Sequence, residues 1–191
     1  MMTRALCRHL TVGLWKILGW RFVGVPPSGR AGILIGAPHT SNWDYVAMLL
    51  ITWHAGINTK FLGKKELFSF PFGAVARLAG GIPVDRGNPH ALISELVGRV
   101  NSGEEFFLMV APEGTRGRAK FWKSGFYRLA IETGLPISLG FIDRATKTAG
   151  FGPTFHATGN VRADMAIVRG FYSDKGGLRP LNKTEPRLRN E

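Results

Sequence analysis

A single cysteine, Cys7, stands in 191 residues, which excludes an intramolecular disulfide and any thiolate-built structural zinc site. The five histidines, at 9, 39, 54, 90 and 156, share no metal-ligand spacing, so no metal is expected. Long apolar runs are also missing. Lys16 breaks the N-terminal apolar stretch well short of the ~18 residues a spanning helix needs, and no small-residue cleavage site follows it. Neither a membrane-spanning helix nor a signal peptide is therefore expected. No G-x-S-x-G elbow occurs, which removes the serine nucleophile of that architecture. Acidic residues are few: 13 Asp and Glu against 25 Lys and Arg leave a formal net charge of +12. Such a chain prefers anionic partners, whether phospholipid surface, phosphorylated substrate, acidic carrier or nucleic acid. What is plentiful is apolar residue, 45%, enough for one packed core in a chain of single-domain length.

The stretch Ile33 to Asp44, ILIGAPHTSNWD, concentrates the chemistry. Apolar residues run into Gly36, Pro38 and a polar cluster, as a buried strand does where it leaves the sheet. Thr40, Ser41 and Asn42 are helix-capping types, and Tyr45 to Trp53 can be helical. His39 then lies in the strand-to-helix turn and Asp44 in the first helical turn. On a regular helix five steps at ~100° would leave the two side chains ~140° apart, so they meet only if His39 sits in the loop and folds back. A carboxylate that fixes the imidazole tautomer prepares it to take a proton from a hydroxyl near neutral pH. The plainer alternative makes His39 a polar loop residue and Asp44 a favourable charge at a helix N-terminus.

Residues 3 to 22 carry Leu6, Leu10, Leu14 and Ile17 at helical spacing, with Arg4, Arg8, His9 and Lys16 largely opposite. Trp15 and Trp20 suit a headgroup boundary, so the segment reads either as an in-plane membrane helix or as a helix packed on its own domain. Pro26 and Pro27 mark a hinge, dividing a membrane-interface helix, 1–24, from a catalytic body, 25–191. Strands are expected at Thr59 to Leu62, before Arg86 in GGIPVDR, at Phe106 to Val110, at ISLGFI and at Thr154 to Thr158. Helices are expected from Asn88 or Pro89 through Val100, around Phe126 to Ala130, and after Asn160 with Val161, Met165, Val168 and Tyr172 at core spacing. Asp164 reads as a first-turn charge of that last helix. Leu67 to Leu78 crowds Phe and Leu beside Lys64 and Lys65, which fits either core or a surface that dips into lipid and admits an acyl chain. Residues from Lys175 onward read as a frayed basic tail. Strands alternating with helices predict an α/β fold, a single sheet flanked by helices, preceded by an amphipathic helix.

Three junctions, HTSNWD, VDRG and PEGTRGR, bring polar residues to one sheet edge, where ligands of such folds bind. Arg86 and Arg116 can grip a phosphate by forked hydrogen bonds, while Glu113, Gly114 and Thr115 offer a carboxylate, close backbone amides and a hydroxyl. In order and spacing these motifs resemble the phospholipid/glycerol acyltransferase family over roughly Ile33 to Ile142. His39 and Asp44 match its first motif; Gly81, Asp85 and Arg86 the second; Pro112, Glu113, Gly114, Thr115 and Arg116 the third; Pro136 part of the fourth. Pro38, Pro83, Ala111 and Leu139 depart from the commoner residues at their positions.

The resemblance implies an O-acyltransferase of the 1-acylglycerol-3-phosphate acyltransferase type. His39, oriented by Asp44, would deprotonate a hydroxyl of a lysophospholipid or related acceptor, and the alkoxide would attack the thioester of acyl-CoA or acyl-carrier protein. Arg86, Glu113, Gly114, Thr115 and Arg116 would bind substrate. No cofactor beyond the acyl donor is implied. The expected setting is a peripheral or monotopic one on the cytoplasmic face of a membrane, with a phospholipid surface, a lysolipid acceptor and the acyl donor as partners and no nucleic acid. Two alternatives carry different tests. A basic membrane- or nucleic-acid-binding domain without catalysis would show salt-sensitive binding and no transfer, and a lipid ester hydrolase would form product with water alone.

Overall fold

Five consecutive buried residues, Gly32–Gly36, form a strand (β2) covered on both faces, and the rest of the chain supplies the covering layers. In the computed structural model, which describes residues 4–70, 73–84 and 89–191, seven strands form one sheet. Side-chain packing is described outside 4–10, 64, 84 and 89–92. The remaining strands are β1 (Arg21–Val23), β3 (Thr59–Lys64), β4 (Gly81–Val84), β5 (Phe107–Val110), β6 (Ile137–Asp143) and β7 (Thr148–Phe155), in spatial order β1-β7-β6-β2-β5-β3-β4. The five from β6 to β4 are mutually parallel, and β7 returns antiparallel to β6. Because β1 is parallel to β7, it too runs against β2.

Alternating side chains of the strands define two cores. Ile33, Ile35, Leu108, Ile137 and Leu139 face a layer containing α4 (Pro89–Asn101), α5 (Gly125–Thr133) and α6 (Val161–Tyr172). Leu34, Phe61, Phe107 and Met109 face the other way, toward α1 (Arg4–Ile17) and α2 (Trp43–Ala55). The short α3 (Gly73–Leu78) lies on this second side as well: Cβ atoms built on Gly63 and Gly81 would strike Phe68, just ahead of α3. Met48 of α2 needs glycines beneath it. A Cβ on Gly36 would come 3.1 Å from its Cγ, and one on Gly140 2.9 Å from its Cε. The missing side chains let the start of α2 approach the sheet beside His39.

Four sequence expectations change. The N-terminal helix stops at Ile17, and Arg21–Val23 join the sheet, so the expected division near residue 24 falls after a strand of the body. Trp15 is in the core rather than at a headgroup boundary, packed with Leu34, Met48 and Ile51, while Trp20 is half-buried. Thr11 and Trp15, one helical turn apart, therefore dock α1, and Leu14, Ile17 and Leu18 stay outside. The strand expected at Thr154 to Thr158 begins at Thr148; Gly150, Gly152 and Pro153 conceal it, since none is a strand former. Finally, the tail is not frayed: Thr184 and Leu188 are buried, and Trp122 N–H donates to Arg187 O at 2.8 Å. The helix after Asn160 forms as expected, with the Asn160 side chain capping Ala163 N–H at 3.1 Å. Its Asp164 is a buried tie, accepting from Tyr127 Oη at 2.6 Å and Thr158 N–H at 2.8 Å.

Candidate active site

His39 lies in the loop between β2 and α2, and Asp44 is the second residue of α2. The loop folds back as the spacing requires. His39 Nδ1 stands 3.6 Å from Asp44 Oδ2, an imidazole–carboxylate contact just beyond hydrogen-bond length. The same Oδ2 accepts the backbone N–H of Thr40 and, at 2.5 Å, that of Ser41. Asp44 thus moulds the loop that carries His39 as well as facing the imidazole. With Nδ1 turned to the carboxylate, the Nδ1–H tautomer is favoured and Nε2 keeps its lone pair for an incoming proton. Burial lowers the His39 pKa below the ordinary value, the Asp44 charge partly offsets this, and the Arg116 charge adds to the lowering. The lowering favours the neutral ring, the form able to accept a proton.

The loop after β5 supplies the second set. Glu113 is buried, and its Oε1 accepts the His39 backbone N–H at 2.9 Å, joining two loops 74 residues apart. Its Oε2 is buried without a hydrogen-bond partner. Burial is the main cause of a carboxyl pKa pushed up to about 7, with the nearby Asp44 charge contributing in the same direction. Gly114 takes a left-handed turn, φ 66°, which glycine enters without steric cost, and its N–H closes on Ala111 O at 3.1 Å. Thr115 Oγ1 accepts Gly117 N–H at 3.3 Å, so the hydroxyl shapes the loop. Exposed Arg116 reaches back and donates from Nη1 to Asn42 Oδ1, placing a guanidinium beside His39. Asn42 is the residue at the N-terminus of α2, yet its side chain makes no cap bond and serves Arg116 instead. His39, Asp44, Glu113 and Arg116 thus come together; Gly114 and Thr115 form the turn between the last two. Asp85 and Arg86 lie outside the described residues.

Sequence reasoning missed one contributor. The chain after α6 crosses the site loop, where Arg179 N–H donates to Thr40 Oγ1 at 3.0 Å and Asn182 Nδ2 to Thr40 O at 3.2 Å. It then ties the second loop, accepting Arg118 Nε at Leu181 O (2.9 Å) and Ala119 N–H at Thr184 Oγ1 (2.9 Å). Thr40 is buried and capping-type, but no periodicity or motif in residues 175–191 points to it. Its partners could be found only from the folded chain.

A parallel-rich sheet with a His facing a buried carboxylate at a strand end, and a guanidinium alongside, defines an α/β domain whose polar loops meet at one sheet edge. Residues 24–138 match the family model described as Acyltransferase, and the chain belongs to that family. It is 38% identical over 98 residues to the 1-acyl-sn-glycerol-3-phosphate acyltransferase of Cocos nucifera, covering 48% of this chain and 32% of that protein. With the enzyme of the same name from Limnanthes alba the identity is 39% over 93 residues, 46% of this chain and 33% of the relative. The Streptococcus pneumoniae enzyme is 32% identical over 107 residues, 54% of this chain and 40% of the relative. The matches to the two plant proteins thus span about a third of their length. The crystal structure of the 1-acyl-sn-glycerophosphate acyltransferase PlsC from Thermotoga maritima superimposes with a TM-score of 0.57 at 17% identity, over 90% of this chain and 80% of that one. That likeness concerns the fold.

Proposed function

We propose that the chain transfers a fatty acyl group from acyl-CoA or acyl-carrier protein to a hydroxyl of a lysophospholipid, 1-acylglycerol-3-phosphate being the acceptor its relatives' names favour. The observation that carries this reading is His39 facing buried Asp44 at 3.6 Å, with the Arg116 guanidinium beside it. Nε2 takes the acceptor's hydroxyl proton, the oxygen attacks the thioester carbonyl, and the resulting imidazolium returns the proton to the departing thiolate. The C–O bond forms as the C–S bond breaks, without a covalent acyl-enzyme. Arg116 supplies the charge that an acceptor phosphate would meet, and the forked geometry of a guanidinium suits its oxygens. Arg86 is assigned the same duty on its motif alone, while Glu113, Gly114 and Thr115 hold the loop that presents Arg116.

Peripheral attachment to a membrane, at its cytoplasmic face, is part of this proposal. Among the described residues no helix is long and apolar enough to cross a membrane, and the outward side of α1 leaves Ile17 84% exposed. Purified protein incubated with a panel of lysolipids and acyl donors, its products read by mass spectrometry, tests the chemistry. Acylated lysolipid should accumulate with the wild type and vanish with folded His39→Ala. Near-normal turnover by that variant, or product formed from water without an acceptor, would reject the mechanism.

A further inference from the structure

Large exposed apolar side chains are unevenly placed. Among the described residues, those outside residues 14–78 are Ile131, Ile167 and Leu181. Val23 and Val25 lie in β1 and just after it; the rest belong to α1, α2, α3 and the turns beside them, elements packed on the sheet face opposite α4, α5 and α6. Phe70 is 98% exposed and Leu78 88%, far beyond what a core-directed segment shows, although neighbouring Phe68 is buried. Charge follows the same division. The acidic residues of these elements are Asp44, which is buried, and Glu66, whereas Lys16, Lys65 and Arg77 are exposed among the apolar side chains. A surface at once apolar and basic complements an anionic lipid leaflet, where each term adds to the other.

Topology gathers this surface at the catalytic edge. β2 and β3 both run parallel to β5, so α2 and the turn Lys65–Phe68 start at the edge where His39 lies. β1 runs the other way, and Arg21 pairs with Thr148, whose partner across the sheet is Asp143 at the end of β6. The last turn of α1 therefore arrives at that edge too. Ile17 and Leu18, Trp43, and Leu67 with Phe70 form three apolar points along one rim.

We propose that this rim, continued onto α3, is a multipoint contact with an anionic phospholipid leaflet, in which residues 67–70 and 73–78 are a second foothold independent of α1. The contact would hold the catalytic edge at headgroup depth. On the acyltransferase reading of the site, a lysolipid would then reach His39 from the side, with its chain still in the leaflet.

The experiment uses the full chain and the paired variants Phe70→Ser/Leu78→Ser and Ile17→Ser/Leu18→Ser, none of them in the site. Co-sedimentation with phosphatidylcholine vesicles, with and without phosphatidylglycerol, reads binding without requiring turnover. Wild type should prefer the anionic vesicles, and each pair should weaken binding by about tenfold or more, equal to about 1.4 kcal/mol. Melting temperatures should stay unchanged, because these side chains already meet solvent. Undiminished vesicle binding by folded Phe70→Ser/Leu78→Ser overturns the proposal. So does a wild-type dimer, seen by sedimentation velocity, that this pair dissociates while vesicle binding persists, since the face would then serve a second copy. A change confined to the preferred acyl-chain length, with equal binding, would make the patch a chain pocket and likewise overturn it. Vesicle binding without any acyl transfer would leave this inference standing and remove the catalytic reading.

Discussion

Replacing Glu113 by Gln tests whether the two site loops are joined through a buried carboxyl. In the wild type that group has its pKa pushed from 4.5 up to about 7, chiefly by burial. The folded state therefore holds a proton that the unfolded chain has released between those two values. The sign follows from linkage: the folded chain binds more protons in this window, so stability is greatest below about pH 4.5 and falls as pH rises through about 7. At about 1.36 kcal/mol per pH unit, the loss on crossing the window is about 3 kcal/mol. Gln cannot ionise, and its amide oxygen can still accept the His39 N–H now held at 2.9 Å. Its NH2 inherits the buried position of Oε2, which lacks a partner, so the variant starts with a penalty of ~1–3 kcal/mol at low pH.

The observable is the difference between the two proteins. Urea unfolding, followed by the fluorescence of five tryptophans, gives stability at a series of pH values from 4 to about 8. Subtraction removes the other titrating groups except those coupled to Glu113. The Gln variant should gain about 3 kcal/mol on the wild type across the range, and it should keep most of its turnover, since the contact with His39 survives. Parallel stability curves would refute a carboxyl whose protonation is set by burial. Loss of turnover with an unchanged fold would show that the negative charge itself takes part in the reaction.

Two further substitutions separate positioning from shape. Asp44→Asn should lower kcat steeply and also destabilise the fold by ~1–3 kcal/mol, because Oδ2 accepts the Thr40 and Ser41 amides as well as facing His39; full stability by urea unfolding would contradict the loop-moulding role. Arg116→Ala should weaken use of a phosphate-bearing acceptor by ~1–3 kcal/mol in kcat/KM and raise the acidic limb of the pH profile, because its charge helps to lower the His39 pKa; an equal loss with a phosphate-free acceptor would assign it a structural duty.

Much of the frame was legible because its signals are local. Ile33, Leu34 and Ile35 announce a strand buried on both faces, and the polar run after Pro38 announces its end. The spacing of His39 and Asp44 set the condition for their meeting, a fold-back of the loop, and the loop meets it. Legibility failed where two functions share one element. The stripe of α1 was read as amphipathic, yet among the described side chains of the helix the buried ones are Thr11 and Trp15, beside the stripe rather than on it. Amphipathicity tells which side differs, but it does not tell which side faces the domain. The same limit applies to Leu67 to Leu78, where Phe68 is core and Phe70 is surface two residues later.

The tail shows why the remainder was hidden, and it bears on how the site is held. The proposed chemistry needs a fixed His39, yet His39 and Arg116 sit on loops, which ordinarily move more than strands. Three restraints compensate from different directions. Asp44 holds the first loop from α2, Glu113 holds it from behind through the His39 amide, and residues 179–184 tie Thr40 and the Arg118–Ala119 segment from outside. The first restraint spans a few residues and could be inferred from spacing. The second spans 74 and was visible only as two motifs with unrelated roles. The third spans 139 and draws from the tail one backbone N–H, one backbone carbonyl, the Asn182 side-chain amide and the Thr184 hydroxyl. Contacts scattered over four such residues form no periodic side-chain pattern, so a basic tail rich in Gly and Pro reads as disorder even where it completes the hydrogen bonding of the site.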